Sequence, residues 1–189
     1  MKKVFLSASI PLKERDARYF ETADIIAIRD AVIALATVVI PHTKLVWGGH
    51  PSITPLIKYV MEKMRASYQK QVVLYQSEWF RKKFPDENEW FKNVVVTQRM
   101  SSQKSSIREL RRQMFSEHRF SYGIFIGGME GVSEEYHMLR QRNPNVKLIP
   151  VGSTGAAARI LYDELPDPDQ RLLKDYAYMA LFKDLFDIE

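Results

Sequence analysis

The chain has 189 residues, 46% of them hydrophobic and 27% charged, which suits a single domain, 1–189, with a sizeable core. It contains no cysteine, so thiol catalysis, disulfides and cysteine-ligated zinc are excluded, and its four histidines (His42, His50, His118, His137) have none of the spacings of a metal site. A formal charge of +5 favours an anionic ligand but is too small by itself to argue for duplex DNA.

Residues 3–8 read as a buried strand that ends in the small residues Ser7, Ala8 and Ser9. The apolar run is interrupted by Pro11 and charges too soon for a secretory signal. The carboxyl end of a first strand in an open parallel sheet faces the ligand, and small residues there permit close approach; an ordinary strand-to-loop exit reads the same way. A polar loop, 11–22, carries Arg15, Asp16 and Arg18, either surface charges or substrate contacts. Residues 23–39 follow with helical apolar spacing until Pro41 stops them. Asp24, Arg29 and Asp30 in this segment argue against a membrane span, so the chain is expected to be cytoplasmic.

A second strand, 44–47, runs directly into Gly48-Gly49-His50-Pro51-Ser52, with Ser52 placed to cap a helix over 53–68 and Pro55 in its first turn. Residues 71–75 form a third strand. The segment 76–93, rich in tryptophan, phenylalanine and charge, reads as an irregular flap or short helices. Its aromatics suit stacking on a base and Arg81 suits a phosphate, with a small satellite core under a long loop as the simpler alternative. Residues 94–97 make a fourth strand, and a serine- and lysine-rich loop leads into a basic helix, 107–117, whose Arg108, Arg111 and Arg112 have the pattern of a solvated face.

The most informative stretch is Ile124-Phe125-Ile126-Gly127-Gly128-Met129-Glu130-Gly131-Val132-Ser133-Glu134-Glu135. An apolar strand, 122–126, breaks on paired glycines and passes into a helix over 132–142. Glycines let backbone approach a ligand, and a helix start offers unpaired N–H groups and partial positive charge, a combination suited to phosphate. Glu134 and Glu135 fall in the expected first helical turn, either as sugar contacts and acid–base groups or simply as acids favoured by the helix dipole. A sixth strand, 146–151, ends in Gly152-Ser153-Thr154-Gly155 before a helix beginning at 156–158, a third junction of the same kind. A last helix is expected over 170–186. Six strands alternating with helices predict an α/β, Rossmann-like, doubly wound and mostly parallel sheet of about six or seven strands. The three glycine junctions are expected to share one pocket.

These junctions resemble those of the SLOG superfamily, named for the Smf/DprA and Lonely Guy proteins, over residues 4–161. Lonely Guy enzymes are phosphoribohydrolases that release an adenine-type base from a nucleoside monophosphate, with the hallmark Pro-Gly-Gly-x-Gly-Thr-x-x-Glu. Glu135 falls on their catalytic glutamate, and counting back from the glycines puts their upstream arginine on Arg111. Val46-Trp47-Gly48-Gly49 is similar to their Val-Tyr-Gly-Gly-Gly segment. The departures are Ile126 for proline, one residue inserted between the glycines, Val132 for threonine and His50 for the third glycine of the earlier segment.

The resemblance implies two functions. One is a sensor in bacterial nucleotide signalling or antiviral defence that binds an ADP-ribose or cyclic ADP-ribose-like ligand. The other is an N-glycosidase with Glu135 and Arg111 in catalysis. Implied ligand contacts are Ser7, Ala8, Ser9, Gly48, Gly49, His50, Arg81, Gly127, Gly128, Met129, Glu130, Gly131, Glu134, Gly152, Ser153 and Thr154. No metal or cofactor is expected. A homodimer and an effector domain or protein are the implied partners, with no membrane partner and no strong nucleic-acid signal. A TIR-like interaction module, compatible with Val4-Phe5-Leu6-Ser7, and a nucleoside deoxyribosyltransferase-like fold are the remaining alternatives.

Overall fold

The computed structural model describes residues 1–188. In chain order the elements are β1 (Lys3–Ser9), α1 (Ala17–Phe20), α2 (Ile25–Val39), β2 (Lys44–Gly48), α3 (Thr54–Glu62), β3 (Val72–Ser77), β4 (Val94–Thr97), α4 (Gln103–Glu117), β5 (Tyr122–Gly127), α5 (Glu130–Arg142), β6 (Lys147–Val151), α6 (Ala156–Asp163), α7 (Arg171–Lys174) and α8 (Tyr178–Phe186). The six strands form one sheet in the order β4-β3-β2-β1-β5-β6, and every pairing is parallel. The doubly wound α/β fold read from the sequence is present. Winding proceeds outward from β1 to β4, then returns across β1 to β5. That reversal opens the crevice at the carboxyl ends of β1 and β5, where open α/β sheets bind ligands.

Both faces of the sheet are covered, so the strands are apolar on both sides. Val4 and Leu6 of β1 point into a core with Ile28 and Leu35 of α2, Ile57 of α3 and Phe182 of α8. Phe5, one residue out of phase, points into the other core with Val46, Tyr75, Phe125, Met114, Phe115 and Leu139. Each fully buried leucine, isoleucine or phenylalanine contributes roughly 2 kcal/mol relative to exposure. Among the described residues no helix is long and apolar enough to cross a membrane.

Five boundaries differ from expectation. The basic helix expected over 107–117 begins four residues earlier, at Gln103, because Ser102 in the expected loop caps it, accepting the Ser105 amide at 3.1 Å in a capping box. Ser52 does not cap α3. The first amides of that helix are satisfied instead by the His50 carbonyl, which accepts from Ile53 and Thr54 at 2.9 and 3.0 Å, and Ser52 is engaged elsewhere. The same helix stops at Glu62, short of residue 68, because its buried stripe Ile57, Val60, Met61 is followed by exposed residues at 62, 63 and 65–67. The last helix is two, α7 and α8. Asp175 adopts an extended backbone and accepts the Ala177 amide at 2.7 Å, an Asx turn that ends one helix and starts the next. Finally, α5 begins at Glu130, so Glu134 and Glu135 lie in its second turn rather than its first. The segment 76–93 forms two short 3-10 helices, and Phe91 there is buried against Trp47 with ring centres 5.2 Å apart.

Candidate functional site

A cavity of about 810 Å³ opens at the carboxyl edge of the sheet, between the N-terminal halves of α4 and α5 and the loops after β1 and β2. The turn that leaves β5 lies beneath it: Met129, Glu130 and Gly131 line the cavity, whereas Gly127 and Gly128, expected as ligand contacts, do not. Gly127 and Gly128 hold φ of +55° and +86°, backbone that only glycine adopts without strain. The Gly128 amide donates to the Ser9 carbonyl at 2.8 Å, which ties the β5 exit to the β1 exit. Met129 is the N-cap of α5 and offers no capping side chain. The first turn of the helix, with Met129, Glu130 and Gly131, therefore faces the cavity with its positive end uncapped.

Two helical stripes make the walls. Lys104, Ile107, Arg108 and Arg111 of α4 stand at i, i+3, i+4 and i+7, and Glu134, His137 and Met138 of α5 face them. Ser9, Arg15, His50 and Gln103 complete the lining. Apolar surface from Ile107, Met129 and Met138 thus adjoins four cations, a composition suited to a base or sugar with attached phosphate. Among the described residues, Lys104 and Arg108 have no ion-pair partner. Lys104 sits in the first turn of α4, where the helix dipole disfavours a cation.

Arg111 is the centre of the constellation. It is only 8% exposed, and its guanidinium donates to both Glu134 and Glu135, the latter at 3.1 Å, and to the Gly131 carbonyl at 3.2 Å. Burial opposes its charge, but Glu135 and then Glu134 outweigh that and hold its pKa above the ordinary arginine value. Glu135 is also held on its other oxygen by the Ser7 hydroxyl. Both carboxylate oxygens are engaged, and Glu135 does not line the cavity. On the far side, Arg15 pairs with Glu130 across the cavity mouth.

The remaining sequence candidates are placed as follows. Ala8 packs on the first core. Gly48 and Gly49 lie behind the wall; a Cβ at Gly49 would sit 2.2 Å from the Gln76 amide nitrogen. Arg81 is paired with Glu78 on an exposed 3-10 turn and does not reach the cavity. Gly152 and Ser153 line a second cavity of about 680 Å³ with Arg18, Arg159 and Tyr176. The junction after β6 therefore faces a different cavity from the junctions after β2 and β5. Its polar groups are spent on the fold: Thr154 Oγ1 accepts the Gly127 amide at 2.9 Å and donates to the Val151 carbonyl, Ser153 Oγ meets the Tyr178 hydroxyl at 2.9 Å, and Thr22 accepts the Ala156 amide at 3.0 Å. Among the described residues no group of three His, Asp or Glu side chains could hold a metal ion.

Lys104, Ile107, His137 and Met138 were not singled out as site residues from the sequence. The signal that would have found them is helical phase: they lie three, four or seven residues from Arg108, Arg111 or Glu134.

No curated protein matches the chain. The profile of the SLOG cluster3 family matches residues 18–186, which spans β2 to β6, both walls of the cavity and all three glycine junctions. The chain belongs to the SLOG cluster3 family.

Proposed function

We propose that the chain is a sensor domain that binds a nucleotide-derived, phosphate-bearing ligand of the ADP-ribose or cyclic ADP-ribose type in the cavity between α4 and α5. The observation that carries this reading is the state of Glu135. A general base needs a lone pair within hydrogen-bond reach of the substrate, whereas Glu135 lies outside the cavity lining and is turned away on both oxygens, toward Ser7 and Arg111. The cavity itself is equipped for recognition. Lys104 and Arg108 are available for phosphate, the uncapped start of α5 adds two or three amides, and Ile107, Met129 and Met138 supply apolar surface. A role in bacterial nucleotide signalling or antiviral defence, acting on an effector, is supported by the resemblance of the loop 150–155 and of the tryptophan- and phenylalanine-rich segment 76–93 to the sensor branch of the superfamily.

A second reading, base release from a nucleoside monophosphate, is favoured by one observation: Arg111 and Glu135 are in contact at 3.1 Å beside the cavity. One experiment separates the two. Purified protein is titrated with AMP, NAD, ADP-ribose and cyclic ADP-ribose by calorimetry, and the mixtures are chromatographed for free base. The sensor reading expects saturable binding without turnover, weakened about tenfold or more by Arg108→Ala through loss of a charge-assisted contact. Base release that disappears in Glu135→Gln would overturn it in favour of the hydrolase.

A further inference from the structure

The loop after β2 presents one polar side chain to the cavity, His50, and the orientation of its ring is fixed. Nδ1 accepts the Ser52 backbone amide at 3.3 Å and lies 2.8 Å from Ser52 Oγ. Ser52 Oγ itself accepts the Ile10 amide at 3.3 Å, so its own proton is free to point at the ring. A backbone N–H can only donate. Nδ1 is therefore an acceptor, and the ring proton of the neutral imidazole resides on Nε2. The His50 backbone is equally constrained, because its carbonyl accepts from both Ile53 and Thr54. Among the described residues Nε2 has no hydrogen-bond partner. Burial first, and then the charge of Arg15, push the imidazole pKa down to about 4, so at neutral pH the ring carries one proton and no charge.

We infer that His50 is a ligand-binding residue acting as a fixed-tautomer hydrogen-bond donor, that Ser52 is its positioning residue, and that the ligand group at this wall is an unprotonated oxygen or ring nitrogen. The inference rests on the ligand-binding reading above and narrows it. Positive charge in the cavity comes from arginine and lysine; His50 supplies direction. An ammonium or a ring-conjugated amino group at the same position would set donor against donor and leave both unmade in a partly desolvated site, which discriminates more strongly than a missing apolar contact. Ser52 also joins the loops that leave β1 and β2 through the Ile10 amide.

The tautomer is tested first on the ligand-free full chain, by ¹⁵N NMR of labelled histidine. The expected pattern is a protonated Nε2 and an unprotonated Nδ1 for His50; Ser52→Ala, which loses the hydroxyl contact but keeps the backbone amide, is expected to admit a minor population of the other tautomer, and Ser52→Thr to keep the wild-type pattern. A protonated Nδ1 in the wild type overturns the inference, whatever binds. Affinity is then measured with ADP-ribose. His50→Gln, whose amide places an N–H near the position of Nε2, is expected to stay within about threefold of wild type, whereas His50→Ala loses about tenfold, the loss of one net hydrogen bond. A wild type that binds and a His50→Ala variant that binds equally well overturn the role of His50 alone. A wild type that binds none of the four nucleotides removes the proposed function and the ligand role of His50 with it.

Discussion

Arg111 carries more of the site than any other residue, and its position in the helix explains why. In α4 it lies four residues after Ile107 and three and four before Met114 and Phe115, so it shares the stripe that packs on the sheet. Arg112, one position on, points outward and pairs with Glu109. A run of arginines looks like a solvated face when counted by charge; counted by phase, one of the three falls inside. Its burial is tolerable because two carboxylates and a carbonyl meet it. Arg111→Ala leaves Glu135 with little but Ser7 and is expected to destabilise the fold by about 3–5 kcal/mol. Arg111→Met, which keeps the volume, leaves the same partly buried carboxylate without its arginine and should be destabilised to a similar degree. Adding Glu135→Gln to Arg111→Met removes that partly desolvated charge and should recover part of the loss. Urea unfolding midpoints of the three variants measure this, and a double variant less stable than Arg111→Met would mean that Glu135 is not penalised by losing its partner.

At the scale of elements, the strand–glycine–helix junctions are where local sequence and tertiary packing meet, and they differ in what holds them. The turn after β5 is filled from within its own helix. A Cβ on Gly128 would meet Val132 Cγ2 at 2.2 Å, so the valine that stands in place of a threonine hydroxyl packs directly over the turn. The turn after β6 is filled from outside, where a Cβ on Gly155 would lie 1.8 Å from the Thr22 backbone oxygen. Both glycines hold positive φ, so alanine is strained at either, at a cost on the order of 1–3 kcal/mol before any collision. The collisions distinguish them. Gly128→Ala should be partly rescued by Val132→Ala, because a side chain can be trimmed, while Gly155→Ala should be the more damaging and gain nothing from Val132→Ala. Thermal melts of the three single and two double variants decide it, and simple additivity of Gly128→Ala with Val132→Ala would exclude the packing explanation.

The elements themselves were largely legible: all six strands fall within a residue or two of where apolar runs and glycine exits place them. Two of the misplaced boundaries turn on polar contacts that apolar periodicity does not record. Ser52 has the chemistry of a cap, but the competing partners that claim it, His50 and the Ile10 amide, come from a ring two residues away and from a strand exit 42 residues earlier in the chain. Asp175 interrupts an apolar pattern that continues smoothly on either side, and its Asx turn is visible only once the backbone is placed.

For the whole molecule, the parallel α/β fold followed from the alternation of strands and helices, but the order β4-β3-β2-β1-β5-β6 did not. Buried parallel strands are apolar on both faces and carry no mark of which neighbour they will take. The expectation of one shared pocket depended on that unreadable order. Glycine junctions at one edge of a sheet converge only if the loops turn toward the same face, and the loop after β6 is turned away by Thr154, Ser153 and Thr22 toward the second cavity. The two cavities therefore make competing claims on an anionic ligand, and their charges separate them. In the second, Arg18 is paired with Asp16 and Arg159 with Asp163, whereas Lys104 and Arg108 in the first are unpaired among the described residues. Binding to the native state alone at about 100 times the dissociation constant stabilises by about 2.7 kcal/mol, which for a chain of this length raises Tm by about 5–10 °C. ADP-ribose is expected to produce that shift in the wild type and in Arg159→Ala, and to lose about half of it or more in Arg108→Ala at the same ligand concentration, since tenfold weaker binding leaves about 1.4 kcal/mol. A shift that survives Arg108→Ala and vanishes in Arg159→Ala would move the ligand to the cavity beside α6, and the glycine turn after β5 would then serve the fold rather than recognition.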